Sequence, residues 1–264
     1  MSLDSVTIDS ITETAKLSST VSLSNKTLYL LVNTILLVIA LLITSPLAAE
    51  EQQFSALKPY SITYEVLHEG DDVGTASRQL TQLSNGQWQI SMESDISYYF
   101  LSDKRRETSR FMIDAEHILP LVYQRLSETS LRSDTTLLQN FDWSNLTEQG
   151  SYKDAKWTQP LKIGYLDQLT QVTMIREHLM TQKPIPPIDI SYRGSIRHHE
   201  FKVIGEEIIK TGKGDIRTAK VQLNEKDRDR KTNFWFALED NMLPVQVQRI
   251  KEGEEQAKLV AQDW

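Results

Sequence analysis

The sequence predicts a mainly β fold: one curved antiparallel sheet or half-barrel of roughly ten to twelve strands, with a single inserted helix near 166–182. Three observations predict it. Apolar and polar residues alternate with period two in segment after segment. Turn signals built on glycine separate those segments at short intervals. One stretch alone keeps helical spacing, and a cluster of prolines ends it.

In YSITYEV (60–66), Ile62, Tyr64 and Val66 share one face while Ser61, Thr63 and Glu65 take the other. QWQISMES places Trp88, Ile90 and Met92 opposite Gln89, Ser91 and Glu93, and Ala219, Val221 and Leu223 alternate with Lys220 and Gln222. Successive side chains of a strand point to opposite faces, so each pattern describes a strand with one buried and one wet face. HEGDDVG (68–74), LSNGQ (83–87) and KTGKGD (210–215) lie between such runs. Their glycines and asparagine accept the positive φ of tight turns, which predicts hairpins.

LDQLTQVTMIREHLMTQ (166–182) breaks the rhythm, with Leu169, Val172, Ile175 and Leu179 near helical spacing. Asp167 is placed to accept from a free amide of the first turn. Pro184, Pro186 and Pro187 cannot continue the helix. One helix among many antiparallel strands suggests a sheet curled around it and argues against a parallel βαβ fold.

An internal echo links FMIDAEHILPLVYQR (111–125) with FWFALEDNMLPVQVQR (234–249). In both, an apolar strand enters an acidic turn and a Leu-Pro pair opens the next strand. Pro120 and Pro244 are expected at the first residue of their strands, where no ladder bond is lost. Arg125 and Arg249 each lie five residues after their proline.

The first fifty residues read as a targeting segment outside the fold. The apolar run 28–43 follows Lys26, and TSPLAAEEQQ after it supplies a proline, small residues and then charge. That is the pattern of a secretory signal cleaved after Ala49. The alternative is an uncleaved inner-membrane anchor at 28–43, although the run contains Asn33 and Thr34 and falls short of the roughly 20 residues of a span. The leader carries Asp4, Asp9 and Glu13 against Lys16, which a start codon assigned too far upstream would explain. The expected division is a signal or anchor at 1–49 and a single β-rich periplasmic domain at 50–264, with membrane contact only through the first segment.

Composition excludes several function classes. The chain has no cysteine, so disulfides, thiolate metal sites and cysteine nucleophiles are absent. Its net charge is −7 with no basic stripe, which argues against general nucleic-acid binding. The runs Lys104-Arg105-Arg106 and Glu225–Lys231 read as solvated turns or strand ends. Arg193-Gly194-Ser195-Ile196-Arg197 lacks the second glycine of a nucleophile elbow. His198 and His199 are adjacent, and neighbours on a strand point apart. Neither a dinucleotide fingerprint nor a phosphate loop occurs. No catalytic residue, metal ligand or cofactor is expected.

Several pieces in order carry a resemblance. They are Tyr64-Glu65-Val66 with Gly74-Thr75-Ala76, then ILPLVYQ, Asp167 and Leu169 opening the helix, Arg176 within it, Val203 to Glu207, and WFALEDNMLPVQVQ. Together they resemble the DUF3108 family of exported Gram-negative proteins over most of 58–264. The resemblance implies an envelope location and a β-rich fold, with Asp167 and Arg176 as structural residues, and assigns no chemistry. In architecture the chain also looks like the periplasmic lipoprotein carriers of the LolA and LolB kind, half-barrels with an apolar concave face.

The aromatics are the remaining candidates. Trp88, Phe234, Trp235 and Phe236 are positioned either to line an apolar cavity or to fill the core. If Phe234 and Phe236 face inward, Trp235 faces the other way. The leading functional reading is a non-enzymatic envelope protein that binds an apolar ligand, a lipid or lipoprotein acyl chain, or an envelope partner. The alternatives are a periplasmic hydrolase using carboxylates scattered in sequence, and a structural or assembly factor of the envelope.

Overall fold

The N-terminal and C-terminal strands of the fold pair with each other, and that pairing organises everything else. In this computed structural model, residues 54–225 and 229–264 are described. The expectations for residues 1–49 lie outside the described residues, as does the centre of the alternating-charge run at 226–228.

Eight strands follow one another as a meander: β1 (Tyr60–His68), β2 (Asp71–Gln82), β3 (Trp88–Tyr98), β4 (Leu101–Asp114), β5 (His117–Thr129), β6 (Arg132–Asp142), β7 (Thr147–Tyr152) and β8 (Ala155–Pro160). An insert follows, comprising β9 (Tyr165–Leu166), the helix α1 (Thr170–Met180), β10 (Ile188–Tyr192) and β11 (Ser195–His199). A second meander closes the chain with β12 (Phe201–Thr211), β13 (Gly214–Glu225), β14 (Arg230–Ala237), β15 (Pro244–Lys251) and β16 (Glu254–Asp263). Antiparallel pairing of β16 with β1 joins the two meanders into one thirteen-stranded sheet with β8 and β12 at its edges. The insert connects those two edges and therefore crosses the inner face.

The fold class is the expected one, a large curved antiparallel sheet around one helix, but the sheet is open and the strand count is higher. Sixteen strands form among the described residues, thirteen in the large sheet and three in a small one. Among them are short, polar strands without period-two contrast, such as TEQGSY in β7 and SIRHH in β11. Lys104-Arg105-Arg106 lie inside β4 and not in a turn. Cross-strand charge explains why a strand tolerates them: Arg106 faces Glu93 and Lys104 faces Asp95, with Lys104 Nζ 2.8 Å from the Asp95 carboxylate. The predicted hairpin at 68–74 is present, with positive φ at Glu69 (52°) and Gly70 (94°).

The helix is shorter than the predicted 166–182. Asp167 Oδ1 accepts from the amides of Leu169 (2.8 Å) and Thr170 (2.9 Å), and Thr170 Oγ1 accepts from the Asp167 amide (3.1 Å), so residues before Thr170 form its cap. At the other end Gln182 adopts φ 54° and the prolines follow. None of the eleven residues of α1 is exposed. One local feature was not expected: β9 and β10 pair in parallel across α1, a minimal crossover inside an otherwise antiparallel fold.

The main core lies between α1 and the inner face. Leu169, Val172 and Ile175 pack there with Leu80, Ile90, Phe111, Tyr123 and Leu137. Full burial of each such aliphatic side chain stabilises by roughly 1.5–3 kcal/mol. A second cluster, with Ile62, Tyr64, Val66, Val245 and Ala261, fills the region where the C-terminal strands meet β1 and β2.

Candidate functional site: an arginine-lined cavity under the insert

Inner-face parity decides which polar side chains the sheet presents to the insert. Arg78 pairs across the sheet with Ile62 on one side and Met92 on the other, and Met92 pairs with Glu107, which pairs with Arg125. Directly paired residues share a face. The strand that buries Ala76 and Leu80 therefore also buries Arg78 between them.

Two bulges place further arginines. Phe111 pairs with Pro120 and Arg110 with Val122, so Leu121 is skipped. Likewise Phe236 pairs with Pro244 and Trp235 with Gln246, so Val245 is skipped. A bulge uses one extra residue without advancing the ladder. Tyr123 and Arg125 are thereby put on the face of Phe111, and Val247 and Arg249 on the face of Phe236. The proline spacing noted in the sequence echo thus delivers both arginines inward. Pro244 begins β15, whereas Pro120 is the fourth residue of β5; the β6 ladder starts only at Val122, so Pro120 forfeits no bond on that side.

Between this face and the insert lies a cavity of about 700 Å3. Met92, Val172, Leu223, Phe234, Val247 and Leu259 form apolar parts of its wall. Six arginines also line it, Arg78, Arg125, Arg193, Arg197, Arg230 and Arg249, against two carboxylates, Glu107 and Glu225. That excess runs opposite to the chain's net charge of −7.

Tyr192, buried at the end of β10, is the hub. Arg125 donates to its hydroxyl at 3.0 Å, and the guanidinium carbons of Arg197 and Arg193 lie 3.8 and 4.9 Å from its ring centroid. Burial opposes the Arg125 charge, but Tyr123, Tyr192 and Glu107 outweigh it and raise its pKa. Arg249 is different. Burial and then the neighbouring Arg230 push its pKa down; Glu225 opposes the shift and Arg105 adds to it. Arg249 borders the cavity and is itself exposed, so solvent screens part of that effect. Glu107 accepts from the Tyr123 hydroxyl.

Other buried polar groups serve the frame. Arg176 donates to three backbone carbonyls, Ala56 (3.1 Å), Asn241 (3.0 Å) and Met242 (3.1 Å), while its guanidinium lies 4.7 Å from the Tyr60 ring centroid. It ties α1 to the segment before β1 and to the β14–β15 turn. Arg78 donates to Tyr60 Oη and Leu169 O, both at 3.0 Å, fixing the start of α1. Burial raises the Asp167 pKa, opposed by bonds from Ser109, Thr170 and Leu169. Glu148 accepts from Gln139, Trp157 and Gln159, each at 2.9 Å, and from Ser191, latching β10 to β6, β7 and β8. These carboxylates are occupied by structural bonds. Among the described residues no three His, Asp or Glu side chains converge as a metal site would require.

Phe234 borders the cavity, Trp88 and Phe236 pack in the main core, and Trp235 points to the opposite face. Trp235 is nonetheless buried: its indole N–H donates to Glu207 Oε2 (2.7 Å), and Lys220 Nζ lies 4.7 Å from its ring centroid. The arginine lining is what the sequence reading missed. Its signal was present as A-x-R-x-L (76–80), an arginine at a buried strand parity. A separate groove of about 660 Å3 crosses β1–β4 on the other face, where Glu65, Glu93, Asp95, Lys104 and Arg106 make it polar and mixed in charge.

An open, strongly curved sheet wrapped on a helical insert defines a barrel-like protein with an internal cavity. The fold is similar to the crystal structure of a "Beta-barrel-like Protein of Domain of Unknown Function DUF1849" from Brucella abortus, with a TM-score of 0.54 and 8% identity, covering 78% of this chain and 96% of that one. Residues 59–260 match the family described as "Protein of unknown function (DUF3108)", and the chain belongs to that family. No curated protein matches the chain.

Proposed function

We propose that this chain is an exported, non-enzymatic envelope protein that binds a ligand with an apolar chain in the cavity beneath α1. The observation that carries the reading is the cavity of about 700 Å3, part of whose otherwise polar wall is formed by Met92, Val172, Phe234 and Leu259. That volume is in the range of small-molecule sites, roughly 300–1,000 Å3. Export is supported by the apolar run 28–43 and the small residues ending at Ala49. The test is native mass spectrometry of the protein purified from its own envelope, followed by solvent extraction. A bound amphiphile at one per chain is the expected result. Protein that emerges empty and takes up no dodecyl-chain probe would overturn the reading.

One observation favours a second reading, an assembly factor. The edge strand β12 exposes Val203 (50%), Ile204 (46%) and Ile208 (69%) beside an unpaired backbone edge. Cross-linking from Ile208 in intact cells would capture an envelope protein if that reading holds.

A further inference from the structure

The proposed cavity has an unusual charge for a site that receives an apolar chain. Arg125, Arg193 and Arg197 surround Tyr192, and Arg249 lies within electrostatic range of the same phenol. They arrive from three separate strands and a turn: β5, the β10–β11 turn, β11 and β15. Among the described residues neither Arg125 nor Arg249 forms an ion pair with a carboxylate; Arg125 bonds instead to a neutral hydroxyl.

Gathering guanidinium groups in a confined space costs free energy through desolvation and mutual repulsion. The lowered pKa of Arg249 records that cost. An apolar ligand would add nothing to the partial compensation that Glu107 and Glu225 provide. An oxyanion would relieve the cost, because a guanidinium fork meets a phosphate or carboxylate with two parallel hydrogen bonds. The apolar wall formed by Met92, Val172, Phe234 and Leu259 leaves room for a hydrocarbon chain in the same cavity.

We infer that the cavity selects an anionic amphiphile, with a phosphate or carboxylate head held by Arg125 and Arg249 beside Tyr192 and its chain laid against the apolar wall. This inference rests on the cavity-binding reading above. It adds a head-group class that the aromatic candidates alone would not suggest.

The experiment titrates the protein, as processed by the producing cell and stripped of bound lipid, with four probes below their micelle concentrations. These are dodecyl phosphate, dodecanoate, neutral dodecanol and inorganic phosphate. The two charged amphiphiles are expected to bind at least tenfold more tightly than dodecanol, and inorganic phosphate at least a hundredfold more weakly than dodecyl phosphate. Arg249→Gln should lower affinity for dodecyl phosphate at least tenfold without changing that for dodecanol, and Arg249→Lys should recover only part of the preference, because it keeps the charge but not the fork. Circular dichroism matching the parent keeps the comparison valid, with Arg125→Gln as the second variant.

Equal binding of charged and neutral chains, unmoved by Arg249→Gln, overturns head-group selection while leaving cavity binding intact. Inorganic phosphate binding as tightly as dodecyl phosphate keeps the oxyanion site but overturns the chain-bearing ligand. If none of the probes binds, the cavity-binding reading fails and this inference fails with it.

Discussion

Arg125 and Arg249 border the same cavity from β5 and β15, each five residues after a proline that pairs with a buried phenylalanine across a bulge. An odd spacing on an unbroken strand would send proline and arginine to opposite faces. The skipped residue restores them to one face. Repetition of this device at two places explains the sequence echo as a device for parity.

Deletions test that account. Removing Leu121, the skipped residue, leaves Ser109 opposite Tyr123 and Glu107 opposite Arg125, so the chain should still unfold cooperatively at a cost of about 1–3 kcal/mol. Removing Gln124 shifts every later β5 residue by one and turns Arg125 outward, so cooperative unfolding should be lost. Thermal melts followed by near-ultraviolet circular dichroism distinguish the two. Equal damage from both deletions would refute the bulge account.

Arg176 should be the costliest single position in the helix. Arg176→Met strands the carbonyls of Ala56, Asn241 and Met242, and each buried acceptor left unpaired costs about 1–3 kcal/mol. A total loss of roughly 3–5 kcal/mol is expected in urea unfolding. Arg176→Lys should recover little, because one ammonium does not reproduce the planar fork.

Gly150 is required by a close approach. It faces Trp157 across the β7–β8 ladder, and an added Cβ would overlap the indole ring. Gly150→Ala should displace Trp157, break its bond to Glu148 and cost about 1–3 kcal/mol. Adding Trp157→Phe should restore part of that stability. A Gly150→Ala protein with unchanged stability and tryptophan fluorescence would contradict the packing.

The Trp235–Glu207 bond predicts a pH effect. Hydrogen bonds from Trp235 and then Lys220 hold the Glu207 carboxyl below its ordinary value. A depressed carboxyl contributes stability that is present above the unfolded pKa and lost as pH falls through the folded one. Trp235→Phe should move the Glu207 titration upward, read by carboxyl NMR, and shrink that acid-side loss. An unmoved titration would show that Trp235 does not set it.

Strand parity, hairpin positions and the helix were legible in the sequence because each depends on residues a few positions apart. The four aromatics were legible as apolar mass, but their destinations were not. Phe234 borders the cavity, Trp88 and Phe236 fill the core, and Trp235 lies on the far side under Glu207. Short strands such as β9 and β7 carry little signal of their own, because pairing partners and not their composition hold them in place. The charge run at 104–106 is solvated as expected, but its place in β4 was not legible for a related reason: Glu93 and Asp95, which make it acceptable there, belong to another strand.

By itself the sequence determined which residues of each strand share a face, including Arg78 between Ala76 and Leu80, and where the chain turns. Tertiary structure alone decided that arginines from β5, the β10–β11 turn and β11 meet around Tyr192 and that β15 brings Arg249 to the same cavity. Their meeting depends on pairing across the whole chain, such as Tyr64 of β1 with Ala261 of β16, and on the curvature that follows from it. Local alternation fixes the face a side chain takes. Only closure of the two meanders through β16 and β1 determines which faces look at one another.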